Sequence, residues 1–226
     1  MPHAPKKRSH QRKESGSRVQ QAYEWILLRI VRREFQGGCE LKSTLIARAM
    51  NASRTPVVQA LHRLAADGIV RLAMNKRAVV RPEAENWLIE VHELRELLEP
   101  RAAELAATRL TAADLSELSS LAVTAASGQF ETNWHAAAER FDFALHLTIA
   151  ERCGNLPLAE ALRKCWSYKR LSYRAADEPA ERLEAGVREH LAILDALAAR
   201  DGTSAAVAMR YHLRMAAVRR PATTIV

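Results

Sequence analysis

The stretch from Leu45 to Val80 constrains the architecture more than any other part of the chain. Leu45, Ile46 and Ala49 predict a short helix over about 43–50 with these three facing inward. Asn51-Ala52 follows as a tight turn. Ser53 offers an N-cap for the next helix, and Thr55 ahead of Pro56 would serve equally. Pro56 sits in the first turn, where a missing N–H costs no hydrogen bond. Val57, Ala60, Leu61 and Leu64 carry the helix to Asp67, and Gly68 ends it. Residues 69–73 and 78–81 then alternate like two short strands about the polar turn Asn75-Lys76-Arg77. Upstream, Val19, Ala22, Tyr23, Ile26, Ile30 and Val31 mark an amphipathic helix from Arg18 to Phe35, stopped by Gly37-Gly38. Three helices, a tight turn before the third and a closing hairpin predict a winged helix-turn-helix.

Such a fold lays the N-terminal part of its third helix in the major groove of double-stranded DNA. The side chains placed there are Ser53, Arg54, Thr55 and Gln59, with Val58 and His62 beside them. Arg54 can pair with guanine or phosphate, and Gln59 can read adenine. Lys76 and Arg77 at the wing tip suit phosphates or the minor groove. The bland alternative is a small helical domain with solvated charges. Charge distribution favours DNA: residues 1–81 hold 17 Lys/Arg against 5 Asp/Glu, and the remainder 17 against 21. Residues 1–17 read as a disordered basic arm, either a phosphate contact or a solvated tail. They lack the apolar core of a signal peptide. Cys39, Cys153 and Cys165 are scattered and form no C-x-x-C pair, which points to a reducing, cytoplasmic setting. No apolar run is long enough for a membrane helix.

After Pro82 the pattern is helix after helix, an all-α bundle over 83–226 appended to a DNA-binding domain over 18–82. Leu88, Val91, Leu94, Leu98 and Leu105 form the apolar line of the first helix, where Pro100 predicts a kink or break. Thr111 and Asp114 form a capping box for the next. Further helices are expected over about 134–153, 156–172, 178–199 and 204–219. Asp142 and His146 share a helix face, and His190 and His212 lie on two later helices. Converging in the core, one carboxylate and three imidazoles would suit a divalent first-row metal with positions left open. Scattered on surfaces or satisfied in the core, they would be ordinary histidines.

The run Leu45-Ile-Ala-Arg-Ala-Met-Asn-Ala-Ser-Arg-Thr-Pro-Val-Val-Gln-Ala-Leu-His-Arg-Leu-Ala-Ala-Asp-Gly-Ile-Val70 resembles the GntR family of transcriptional regulators. It departs from that family's signature at Val58-Gln59, where Arg-Glu is usual, at Thr44, often Arg, and at Arg77, usually Gly. The family's operator is therefore not carried over. In the second half, four stretches resemble the FCD ligand-sensing domain of the FadR branch: Phe141-Asp142-x-x-x-His146, Gly154-Asn155, Arg188-Glu-His190 and Met209-Arg-x-His212-Leu213. Glu90-Val91-x-x-Leu94-Arg95-x-x-Leu98-Glu99 resembles that domain's first helix. Metal-binding members use one Asp and three His, and each has a counterpart in Asp142, His146, His190 and His212.

The resemblance implies a homodimer on an imperfect palindrome, a divalent ion (zinc foremost, nickel or manganese next) and a small carboxylate effector. Arg95 either aims a guanidinium at that effector or forms an interhelical or surface ion pair with Glu99. Asn155 reads as a helix cap. Two rivals remain: a metal-dependent hydrolase or lyase, and a regulator for which the metal itself is the signal.

Overall fold

The computed structural model describes residues 7–73, 77–127, 133–172 and 178–219. The chain forms two compact units that divide between Leu88 and Ile89, inside the helix that the sequence pattern runs from Asn86 to Leu110. The first unit holds α1 (Lys7–Val31), β1 (Glu40–Leu41), α2 (Ser43–Ala49), α3 (Arg54–Ala66), β2 (Val70–Ala73) and β3 (Arg77–Val80), then a 3-10 turn over Pro82–Asn86. Its sheet runs β1-β3-β2, with β3 antiparallel to both neighbours, pairing Leu41 with Ala78 and Leu72 with Ala78. This is the winged helix-turn-helix. The two-residue β1 carries no alternation to read, so the sequence did not disclose it. Ala22, Tyr23, Ile26, Leu27, Val57, Leu64 and Ile69 pack as its core, each large one contributing roughly 1.5–3 kcal/mol of transfer free energy.

Four helices end in the same way. At Arg33, Asn51, Gly68 and Arg200 the chain turns left-handed (φ +58°, +48°, +81° and +58°). After each, the next amide donates to a carbonyl five residues back, as in Glu34 to Arg29 and Ala52 to Ala47. Asn51 and Gly68 were legible stops, because those residues tolerate the left-handed region. Arg33 was not, so α1 ends before Phe35 rather than at Gly37-Gly38. At its other end α1 extends back to Lys7, where the sequence suggested an unstructured arm. Lys, Arg, Gln and Glu there are good helix formers without needing an apolar face. Residues 1–6 lie outside the described residues.

The inward faces also differ. In α2, Ile46 and Ala47 are buried while Leu45 and Ala49 are exposed. Ser53 takes the N-cap position of α3 with extended backbone, but its hydroxyl makes no capping hydrogen bond, and Thr55 is already helical. Tyr23 Oη donates to Asp67 Oδ2 at 2.6 Å and fastens α1 to the end of α3. A Cβ on Gly37 would lie 2.6 Å from Pro82 Cα, so only glycine permits that approach.

The second unit is an all-α bundle: α4 (Trp87–Ala106), α5 (Ala112–Ala126), α6 (Trp134–Arg152), α7 (Leu156–Ser172), α8 (Ala180–Ala198) and α9 (Gly202–Arg219). Phe141, Leu145, Ile149, Leu162, Ile193, Leu197, Met209 and Leu213 fill its centre. Both halves of the capping box form, with Thr111 N donating to Asp114 Oδ2 and Asp114 N to Thr111 Oγ1. Arg152 then clamps Asp114 with two 2.9 Å bonds, tying α6 to the start of α5. Arg200 occupies its left-handed position for a reason: its guanidinium donates to the Ala107 and Leu110 carbonyls after α4, a favourable place for a cation.

Pro100 does not break α4, which continues to Ala106. The helix is rotated from the expected apolar line. Leu94 is exposed, whereas His92, Arg95 and Glu99 are buried beside Val91, Ala102 and Ala103. A helix buries polar groups in this way only where partners await them.

Candidate functional site

α6 supplies Asp142 and His146 one turn apart, α8 supplies His190 and α9 supplies His212. All four are buried, and one ligand atom from each lies within 4.8 Å of every other. His190 Nε2 sits 3.1 Å from His212 Nε2 and 3.3 Å from His146 Nε2. Asp142 Oδ1 lies 3.2 Å from His190 Nε2 and 3.5 Å from His146 Nε2, without a well-aligned hydrogen bond.

The rings are aimed from behind. His146 Nδ1 contacts Glu99 Oε2, and His212 Nδ1 lies 3.0 Å from Glu189 Oε2. A carboxylate at Nδ1 keeps the proton there and turns the Nε2 lone pair forward, an assignment made from the hydrogen-bond pattern. Lone pairs gathered 3 Å apart with a carboxylate repel one another unless a cation lies between them. The donor set and its carboxylate backing therefore fit a divalent metal. Asp142, His146, His190 and His212 would hold it, and such an ion would supply open coordination positions for a ligand oxygen.

Glu99, Glu189 and Lys169 are the functional neighbours that sequence reasoning missed or undervalued. Glu99 Oε1 accepts from Arg95 Nε (2.5 Å) and Trp166 Nε1 (3.0 Å). Glu189 also accepts two bonds from Arg219, at 2.6 and 2.7 Å. Lys169 Nζ donates to Asp142 Oδ2 at 2.7 Å. The i,i+4 spacing of Arg95 and Glu99 was visible, but nothing in sequence links Glu99 to His146 or Lys169 to Asp142. Arg95 thus makes the anticipated ion pair, buried rather than on a surface, and it also lines a cavity of about 150 Å³ with His190, His212, Lys169 and Arg182. Its Nη2 is buried without a partner. Asn155 caps α7 through Oδ1, accepting from Leu158 N at 3.2 Å.

Burial opposes charge on Asp142 and Glu99, yet the cations and hydrogen-bond donors beside them prevail. Lys169 and His190 hold Asp142 well below the usual carboxylate range, and Arg95 and His146 hold Glu99 at about 2. Burial pushes His146 down to about 4 against the pull of Glu99 and Asp142, and lowers His212 well below its ordinary value together with His190 and His146. His146 and His212 are therefore neutral, the state a metal requires.

The sign of the pH effect follows. A native histidine at about 4 binds fewer protons than its unfolded counterpart at 6.5. Metal-free protein should therefore lose stability as pH falls from 6.5 to about 4, at about 1.4 kcal/mol per pH unit for each such group at most. Glu99, depressed from 4.5 to about 2, then withdraws its own contribution across that lower range. Urea midpoints in EDTA across this series test it; midpoints unchanged between pH 7 and 4.5 would sink the assignment of neutral buried histidines.

In the first unit, Ser53, Arg54, Thr55 and Gln59 are exposed along one side of α3, opposite the buried Val57, Ala60, Leu61 and Leu64. Arg54 Nε donates to Ser43 Oγ at 3.0 Å, and Arg77 on the wing strand lies 3.7 Å from Glu40. Arg54, Val58, His62 and Arg77 border one groove with Glu40 and Ser43. Lys76 lies outside the described residues.

Residues 18–80 match the model of bacterial regulatory proteins of the gntR family, and residues 90–215, more than half the chain, match the FCD domain. The chain belongs to the GntR family. It is a transcriptional regulator of that family with an FCD ligand-sensing domain. The Nta operon transcriptional regulator of Aminobacter aminovorans is 33% identical over 84 residues, which are 37% of this chain and 40% of that one, so this match spans less than half of the relative. An uncharacterized HTH-type regulator from the TAR-I ttuE-ttuC' intergenic region of Agrobacterium vitis is 34% identical over 144 residues, 61% of this chain and 84% of that relative. E. coli McbR/YncC has the same fold, with TM-score 0.65 at 22% identity over 89% of this chain and 95% of that structure. No helix among the described residues is long and apolar enough to cross a membrane.

Proposed function

We propose that this GntR-family chain is a cytoplasmic, homodimeric regulator whose grip on operator DNA is set by a small carboxylate at a divalent-metal centre. Domain 18–82 binds the DNA and 83–226 senses the ligand. Asp142, His146, His190 and His212 hold the ion, zinc foremost and nickel or manganese next, and Arg95 Nη2 offers a buried charge-assisted donor to the effector. The observation that carries this reading is the convergence of three Nε2 atoms on Asp142, two of the rings backed by carboxylates. The adjoining cavity favours an organic ligand over the metal alone as signal. The relatives are named transcriptional regulators, which favours binding over turnover. Coupling is linkage: a ligand that prefers one arrangement of the dimer changes DNA affinity by that difference.

At the DNA, Ser53, Arg54, Thr55 and Gln59 face the major groove, with Lys76 and Arg77 at the wing. Arg54→Ala should cost about 1–3 kcal/mol in operator affinity and relax the preference at one base. Arg77→Ala should weaken binding to all sequences alike and lower the salt slope by about one unit. Fluorescence anisotropy on DNA upstream of the gene, over a salt series with and without candidate acids, reads both. Operator affinity unchanged by Arg54→Ala would remove α3 from the recognition surface.

A further inference from the structure

We propose that the N-terminal extension of α1, residues 7–17, is a second DNA-binding element that follows the phosphate backbone beside the recognition helix. The inference rests on the reading that α3 enters the major groove. It adds a partner for a stretch that the matched gntR domain, which begins at residue 18, does not account for.

Residues 7–17 hold Lys7, Arg8, Arg12 and Lys13 against Glu14, with no apolar residue among them. A helix that is polar all round has no core to join, so its charge is what recruits a partner. The order of its charges is unfavourable in isolation. Its first turn contains Lys7 and Arg8 and no acid, which puts cations at the positive end of the helix dipole. A polyanion turns that cost into attraction, because the cations and the free amides of the first turn then face the same phosphates.

Two contacts fix where the extension leads. Tyr23 Oη donates to Asp67 Oδ2 at 2.6 Å, and Arg63 Nη1 donates to Gln20 Oε1 at 2.9 Å. Moving back along α1 from Tyr23 to Gln20 therefore moves back along α3 from Asp67 to Arg63, so the two helices run in the same sense where they pack. Before Gln20, α1 continues towards the end of α3 that carries Ser53, Arg54 and Thr55. From Gln20 to Lys7 is about 20 Å of helix, and from Arg63 to Arg54 about 13 Å at the same rise per residue. The extension is thus long enough to pass that end and meet the phosphates that border the groove. Gln59 and Arg63 are both exposed one turn apart on the same stripe of α3, so its base-reading side adjoins the side along which α1 runs. The competing role is that of a solvated helix. Such a helix adds nothing to DNA affinity or to its salt dependence.

The test uses the full chain with two labelled duplexes, the DNA upstream of the gene and a scrambled sequence of equal length. Lys7→Gln, Arg8→Gln, Arg12→Gln and Lys13→Gln are combined in one variant, since glutamine keeps helix propensity and removes charge. At about 0.1 M salt that variant should bind both duplexes about tenfold or more weaker than the wild type. The slope of log K against log salt should fall by about two to four units. The affinity ratio between the duplexes should hold, because phosphate contacts carry no sequence information. Hydroxyl-radical footprinting should show wild-type protection flanking the bases read by α3, and the variant should lack it. Deletion of residues 1–13 should repeat the loss, and it decides the matter if the substituted chain does not fold. A wild-type salt slope or an unchanged footprint in the variant overturns the proposal. Arg54→Ala tells the two readings apart. If it weakens operator binding while the fourfold variant matches wild type, only the extension falls; if it changes nothing, or the wild type binds neither duplex, the α3 reading falls and the proposal with it.

Discussion

His190→Ala is expected to empty the metal centre, lowering the bound divalent ion from about one per chain to near none. His190 Nε2 is the atom closest to the other three ligands, at 3.1, 3.2 and 3.3 Å, so its loss opens the middle of the set rather than an edge. Altering groups behind a ligand typically costs about 10–100-fold in metal affinity; removing the ligand should exceed that, about 3 kcal/mol or more. Zinc held about 1,000-fold above its Kd stabilises the wild type by about 4 kcal/mol, which raises Tm by roughly 10 °C for a unit of this size. In His190→Ala that rise should vanish. His135→Ala, on an exposed position of the same helix as His146, should retain it. Elemental analysis with melting curves in zinc and in EDTA reads both quantities. Equal metal content in the wild type and His190→Ala after reconstitution would refute the four-ligand centre.

The fold was legible wherever local chemistry decided it. Pro56 in the first turn, Asn51 and Gly68 at left-handed positions, and the Thr111–Asp114 capping box each act within a few residues, and each lies where the pattern put it. Ends settled by distant contacts were not legible. Arg200 adopts a conformation that its own chemistry disfavours, and its guanidinium bonds reach the Ala107 and Leu110 carbonyls in the turn after α4. The face of α4 was misread for the same reason. Leu94 looked like core, and nothing in the pattern marked His92 or Glu99 as buried; His146, Trp166 and the Leu213 carbonyl are the partners that hold them inside.

The ligand set was legible for a different reason. Asp142 and His146 share a helix face by spacing, but only resemblance to a known domain joined them to His190 and His212. Residues one step behind the ligands had no such signal. Glu189 adjoins His190 in sequence yet serves His212, and Lys169 reaches Asp142 from α7 across 27 positions. On the DNA side the exposed line of Arg54, Thr55 and Gln59 followed from helical periodicity. Its anchoring by Ser43, and the approach of Glu40 to Arg77, depended on the unforeseen β1 and its neighbours.

Glu99→Ala should be the most damaging single change in the bundle outside the four proposed metal ligands. Glu99 is 1% exposed and gathers three donors, Arg95 Nε, Trp166 Nε1 and His146 Nδ1. Without it the Arg95 guanidinium is buried with no counter-charge, which costs about 3–5 kcal/mol. His146 also loses the acceptor that fixes its tautomer, weakening the ion by about 10–100-fold. Glu99→Gln separates the two effects. Its carbonyl can still accept from Arg95 and Trp166, which leaves the amide NH2 facing His146 Nδ1. A donor there draws the ring proton to Nε2 and blocks the ligating lone pair, so metal affinity should fall even where packing survives. Pairing Glu99→Leu with Arg95→Met removes both charges at once and should cost clearly less than the two single changes added together. Urea unfolding in EDTA gives the stability arm and zinc calorimetry the metal arm. A Glu99→Ala protein within about 1 kcal/mol of wild type would mean that the buried network carries far less than an unpaired interior charge demands.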